Sequence, residues 1–217
     1  MKKRKDGFRR AGSLGHGRRP REPLRYLLFH KPYGVLSTFT DPEGRPTLSQ
    51  FVDVPEQVYA AGRLDMDSEG LLFLTNDGLV NHRLTHPRYK LPKTYLVQVE
   101  GVPTPEALEA LRQGVIVKGE RTAPAEVEHL LAPPPLPPRS RPVTPHGPTA
   151  WLRITLREGR KRQIRHMTAA VGLPTLRLVR VAIGPLHLDA LAPGQWRDLT
   201  TDELRALRRV LGLVPSR

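Results

Sequence analysis

Short apolar runs set off by turn residues recur along this chain, and period-two spacing outnumbers helical spacing. Residues 24–29 predict a first strand that runs into a Lys31-Pro32-Tyr33-Gly34 turn. Further strands are expected over residues 59–64, 71–75, 94–100, 115–118, 125–131, 151–157, 176–183 and 186–188. The alternation is clearest where Leu152, Ile154 and Leu156 face one side and Arg153, Thr155 and Arg157 the other. Helices are fewer. Thr104-Pro105 opens one, as cap and first-turn proline, and Gly114 ends it. Residues 162–171 carry Ile164, Met167 and Val171 at helical spacing and stop at Gly172. The last helix starts from the capping box Thr200-Thr201-Asp202-Glu203 and turns Leu204, Leu207 and Leu211 to one side. Many strands, few helices and no regular βαβ alternation give an α+β chain.

Eight of the seventeen residues from 132 to 148 are proline, so this segment is neither an interior strand nor a helix. A proline-rich ligand for an SH3-like partner would have this composition. A stiff surface loop joining two strands also has it, and suits flanking segments that read as one continuous domain.

At 217 residues the chain can bury one substantial core. Its 35 Lys and Arg against 21 Asp and Glu leave a net charge of +14, a field that attracts polyanions. Residues 1–23 hold nine of those cations against two carboxylates and few large apolar groups. They are expected to be a disordered basic tail, either a solubilising segment or an RNA-binding arm, ahead of a folded domain over residues 24–217. There is no cysteine, which excludes disulfides, thiolate metal sites and a cysteine nucleophile and fits a cytoplasmic location. No apolar run follows the basic N-terminus as in a secretory signal, and none approaches the ~20 residues of a membrane span.

Candidate chemistry concentrates in residues 62–78, where two apolar blocks bracket a turn holding Asp65, Asp67 and Glu69. If the preceding strand continues to Asp65, Arg63 and Asp65 share a face, and the guanidinium would hold the carboxylate ready as nucleophile or base. The carboxylates could equally cap a hairpin turn. They also imitate the first half of a calcium loop, but its twelfth position falls on Asn76, where a bidentate Glu is needed, so no calcium is expected. His82 and His86 have zinc-compatible spacing on an expected helix after Gly78, yet Arg83 stands where a hydrolytic motif has Glu. They are expected to pack the helix end before Pro87, and no metal is expected. A second cluster, Arg157, Arg160, Lys161, Arg162 and Arg165, spans a strand, a glycine turn and the first turn of a helix. Cations are disfavoured at that end of a helix, so the cluster predicts a phosphate site, the alternative being a solvated charged face.

Three blocks in order carry a resemblance: Gly62-Arg63-Leu64-Asp65 with Ser68-Glu69-Gly70-Leu71-Leu72; Lys93-Thr94-Tyr95; and Arg160-Lys161-Arg162-Gln163-Ile164-Arg165 followed by Gly172-Leu173-Pro174, Leu176-Arg177-Leu178 and Ile183-Gly184-Pro185-Leu186. Over residues 24–200 the chain resembles the RsuA/RluB/E/F family of ribosomal-RNA pseudouridine synthases. Residues 29–35 fit as well, except that His30 stands where Asn is usual. The resemblance implies a pseudouridine synthase fold with a mixed, mostly antiparallel central sheet, a few flanking helices and a basic active-site cleft. It implies that Asp65 is the catalytic aspartate, that Arg63 flanks it, that Tyr95 stacks on the target base and that Arg165 forms the ion pair positioning Asp65. Lys93 and the 157–162 cations are the expected RNA contacts. The isomerisation needs no redox step, so no cofactor is implied. Many members carry an S4 RNA-binding domain, whereas only about 23 residues, charged and glycine-rich, precede the first strand here. That layout matches a member acting on 23S rRNA, which makes 23S rRNA the expected partner of a monomeric enzyme. Two other classes stay open: a non-catalytic RNA-binding or ribosome-assembly protein, which gains nothing from Asp65 in a cationic cleft, and a metal-dependent nuclease using Asp65, Asp67 and Glu69.

Overall fold

The computed structural model describes residues 23–54, 57–89 and 91–213. The expected tail therefore lies outside the described residues except for Pro23. In chain order the elements are β1 (Tyr26–Lys31), β2 (Tyr59–Ala60), β3 (Glu69–Thr75), α1 (Gly78–Thr85), β4 (Lys93–Glu100), α2 (Pro105–Gln113), β5 (Ile116–Val117), β6 (Glu120–Arg121), β7 (Glu126–Leu130), β8 (Thr149–Leu156), α3 (Gln163–Ala170), β9 (Thr175–Ile183), β10 (Leu186–His187), β11 (Trp196–Asp198) and α4 (Thr201–Val210). The fold is α+β. A nine-stranded sheet runs β11-β1-β3-β9-β4-β8-β7, with β2 added to β3 and β10 to β9, and β5 and β6 pair separately. Every pairing is antiparallel except β3 with β9.

Side-chain alternation gives β1 and β3 two buried faces. Leu28, Leu71 and Phe73 join one apolar cluster, roofed by Val80 and Leu84 of α1 and Leu207 of α4. Leu27, Phe29, Leu72 and Leu74 join another on the opposite face, with Leu48, Val52 and Val58 from the 48–58 segment. A third cluster lies over β4, β8 and the start of β9, where Val97, Leu152, Ile154 and Leu178 meet Leu111 of α2 and Ile164 and Met167 of α3. Register places the second and third clusters on the same face. Gly70 pairs with Lys31 on one side and Arg180 on the other, and Arg180 pairs in turn with Tyr95. Lys31, Gly70, Arg180 and Tyr95 thus form one cross-strand row between the two apolar clusters. The row spans three strand spacings, roughly 14 Å. A gap in the core floored by polar side chains is where a site can form.

His30 has a local role. It is 2 % exposed, and its Nδ1 donates to Leu191 O at 2.6 Å, while its backbone bonds Gly194 and Gln195. Burial pushes the imidazole pKa down, in keeping with a neutral ring that ties β1 to the 191–195 turn. Residues 131–148 hold no helix or strand and join β7 to β8.

The parallel junction depends on one glycine. Gly70 has φ +104°, and a Cβ there would stand 2.2 Å from Arg180 O and 2.7 Å from Arg180 N. Gly70→Ala should therefore destabilise by about 3 kcal/mol or more, because backbone must move and the left-handed strain remains. Gly44→Ala, at φ +71° with nothing within 4 Å, should cost about 1 kcal/mol from strain alone. Urea denaturation of the two variants checks this, and equal losses would contradict the close approach at Gly70.

Candidate active site

The strand expected to carry residues 59–64 stops at Ala60. Gly62, at φ +86°, turns the chain out of the extended run, so the alternation that would have put Arg63 and Asp65 on one face does not reach them. Arg63 is exposed. What fixes Asp65 is backbone clamping. The buried Ser37 hydroxyl donates to Leu64 O at 2.8 Å and accepts from Leu64 N at 3.0 Å. Ser68 N donates to Asp65 O at 3.0 Å, closing a turn, and Gly34 N donates to Met66 O at 2.8 Å. The Asp65 carboxylate itself is left 37 % exposed. It is presented from a fixed turn and open to a ligand.

Its cation is Arg162, with Nη1 3.6 Å from Asp65 Oδ2. Arg162 also grips Asp67 through both nitrogens, at 3.1 and 2.9 Å. The expected Asp65–Arg165 pair is corrected here. Arg165 donates to Asp67 O at 2.8 Å and Thr175 O at 3.2 Å, and lies 3.4 Å from Asp67 Oδ2. The reason is helix phase: α3 begins at Gln163, and Arg162 precedes it as N-cap in the left-handed conformation, φ 55° and ψ 30°. That turns its guanidinium toward the Asp65–Ser68 turn, while Arg165 enters three residues later, beside the backbone of Asp67. A non-glycine residue held left-handed costs about 1–2 kcal/mol and persists where its surroundings fix it, here by two bonds to one carboxylate.

The floor beneath is cationic. Lys31 is fully buried, its Nζ donating to Pro32 O at 2.9 Å and Val35 O at 2.6 Å. Burial pushes its pKa down to about 8, against the pull of Glu69, Asp67 and Asp65. Burial and Arg180 likewise push Lys93 down to about 8. Arg180 donates through Nε to Leu71 O at 2.7 Å, and its Nη2 has no partner among the described residues. Ser68 Oγ and Arg165 Nε are also buried without partners among the described residues. Tyr95 packs on the α3 side of this row, against the cluster containing Ile164 and Met167. Glu69, facing the other side of the sheet, is held by Arg177 at 2.8 and 3.0 Å.

The cations at the start of α3 are mostly paired with the chain's own carboxylates, several of them in exposed pairs that a ligand could displace. Arg160 lies 3.2 Å from Glu120 and 3.6 Å from Glu158 and donates to Arg121 O. Arg157 lies 3.4 Å from Glu126. Gln163 Oε1 accepts from Arg160 N, closing the turn from within. Lys161 is exposed and has no ion pair among the described residues. The His82 and His86 rings lie 4.9 Å apart, tilted by 46°, beside Tyr89, and among the described residues no group of three or more potential metal ligands gathers. Sequence reasoning missed Lys31, Ser37, Arg180 and the role of Asp67. A signal existed for Lys31, which continues the inward series Leu27, Phe29, and for Arg180, a charge inside an apolar strand. Ser37 left none, since its partner is a backbone 27 residues away.

A family model for RNA pseudouridylate synthase matches residues 25–170. Ribosomal large subunit pseudouridine synthase E of Xanthomonas campestris is 56 % identical over 186 residues, which are 84 % of this chain and 97 % of that protein. Ribosomal small subunit pseudouridine synthase A of Escherichia coli K12 is 38 % identical over 84 % of this chain and 74 % of its own length. A crystal structure of a pseudouridylate synthase superposes with TM-score 0.73 at 34 % identity, covering 86 % of this chain and 74 % of that one.

The clamp on Asp67 has a titration consequence. Burial pushes its carboxyl pKa up, but Arg162 and Arg165 outweigh this and hold it below the ordinary value. A carboxyl depressed in the fold adds stability above about pH 4 that is lost as pH falls through that range. Arg162→Ala should raise the Asp67 pKa and shrink that acid-dependent part of stability. Carboxyl-detected NMR titration checks this, and an unmoved Asp67 would mean that Arg162 does not hold it.

Proposed function

The chain belongs to the RNA pseudouridylate synthase family, and from that premise we propose that it isomerises a uridine of 23S ribosomal RNA with Asp65 as the catalytic carboxylate. The observation carrying this reading is the half-exposed Asp65, presented from a clamped turn beside Arg162 at 3.6 Å over a floor of Lys31, Arg180 and Tyr95. A protein that only bound RNA would gain nothing from a carboxylate held open among cations. The large ribosomal subunit is favoured because the similarity to a large-subunit enzyme exceeds that to a small-subunit one.

In the reaction the C1′–N1 bond of the target uridine breaks, the base rotates, and C5 bonds to C1′. The proton lost from C5 is balanced by one gained at N1, so the product is an isomer and neither redox partner nor cofactor enters. A target base inside an RNA helix must first leave its stack, and Tyr95 offers a ring for it to rest on. Asp65 then acts at the sugar as glycosidase carboxylates do, by attack or by stabilising developing positive charge. Arg162 orients Asp65, and Arg165 holds the turn that carries it. Lys93, Arg157, Arg160 and Lys161 make the site's surroundings positive. The reading takes the chain as a monomer working in the cytoplasm, and among the described residues no helix is long and apolar enough to cross a membrane.

Asp65→Asn is nearly isosteric but a poor nucleophile, so it should keep rRNA affinity within about twofold and lose at least ~100-fold in turnover. Tritium release from 5-³H-uridine-labelled 23S rRNA measures this, and a variant retaining wild-type turnover would remove Asp65 from the chemistry.

A further inference from the structure

The proline-rich segment between β7 and β8 is pinned against the site. Arg139 lies over the Tyr33 ring at 4.3 Å and donates to Arg141 O, to Pro142 O at 3.2 Å and to Leu176 O at 3.5 Å. Pro137 O accepts from Arg177 at 2.8 Å, and His146 N donates to Glu100. Eight prolines limit the conformations the segment must give up to stay there. Under it opens a cavity of about 320 Å³ whose polar lining is Tyr33, Asp67, Arg139, Arg141, Thr144 and Arg165.

The charges in this cavity do not balance. Three guanidinium groups face one carboxylate, and Asp67 is already bonded twice by Arg162. The buried Arg165 Nε has no acceptor among the described residues. Arg141 is exposed, and its side chain makes no hydrogen bond among the described residues. A cavity with surplus cations, an unanswered donor and two hydroxyl groups suits a ligand that is anionic and rich in acceptors. Asp67 lines it, and Asp65 belongs to the same turn. We infer that this cavity receives a phosphodiester of the RNA strand, next to the nucleotide whose sugar meets Asp65. The proline-rich segment is then a preformed wall of the RNA channel, and Tyr33 and Arg139 set its position. This rests on the pseudouridine synthase reading. Free phosphate shares the chemistry and is the competing occupant.

Arg141→Gln tests it with the full chain, because that side chain is exposed and makes no hydrogen bond or ion pair among the described residues. Binding of a 23S rRNA fragment is measured against salt, with single-turnover tritium release at saturating enzyme. Loss of one phosphate contact should raise Kd roughly three- to tenfold and flatten the log–log salt slope by about 0.7–0.9, leaving the saturated rate within about twofold. Arg205→Gln, an exposed arginine on α4, should change neither quantity. If Arg141→Gln keeps both Kd and slope, the inference is overturned. The same holds if inorganic phosphate protects wild-type protein from thermal unfolding through Arg141 while the RNA slope does not respond. A wild-type protein that binds rRNA but makes no pseudouridine would defeat the parent reading alone, and the slope would still decide the phosphate site.

Discussion

The architecture turns on the short parallel contact between β3 and β9. Only Glu69 with Val179 and Gly70 with Arg180 are in register there, yet this contact joins β11, β1 and β3 to β9, β4, β8 and β7. Two strands more than a hundred residues apart in sequence meet with no local turn to fix their register. The register comes instead from a close approach that only glycine permits, flanked by ion pairs on both faces of the sheet. Asp67 and Arg162 sit on the side that carries the site, Glu69 and Arg177 on the other.

These pairs differ in weight. Surface pairs such as Arg205–Asp202 and Arg153–Glu128 are each worth about 0–1 kcal/mol. Glu69 and Arg177 are 4 % and 11 % exposed, and truncating either would strand a buried charge at about 3–5 kcal/mol. The Arg162 pairs lie between, open enough to meet a ligand. The mechanism proposed for Asp65 would use this gradient: a rigid seam beneath, and above it a carboxylate whose guanidinium partner could share it with a sugar.

Strands with strong alternation, such as the one containing Leu152, Ile154 and Leu156, were legible because their inward face is continuous. Helix ends were legible from Thr104-Pro105 and the Thr200–Glu203 box, whose signals are local. The Asp65 turn was legible as chemistry and misread as geometry. A single left-handed glycine ended the strand early, and nothing in composition says how far a strand runs. The exchange of Arg165 for Arg162 beside Asp65 has the same character, since it hangs on one backbone angle at the start of α3. Trp196–Asp198 was missed because a three-residue edge strand has too little pattern to announce itself, and its place follows from pairing with β1. Arg139 and Arg141 were hidden in a segment that reads only as rigid, since a chain of prolines records stiffness and not where it is docked.

Direct mapping of pseudouridine across 23S rRNA, in cells that contain this protein and in cells from which its gene is deleted, bears most closely on the central claim. Deletion should remove pseudouridine at one position and leave every other site unchanged. Identical maps, or a difference confined to 16S rRNA, would contradict it.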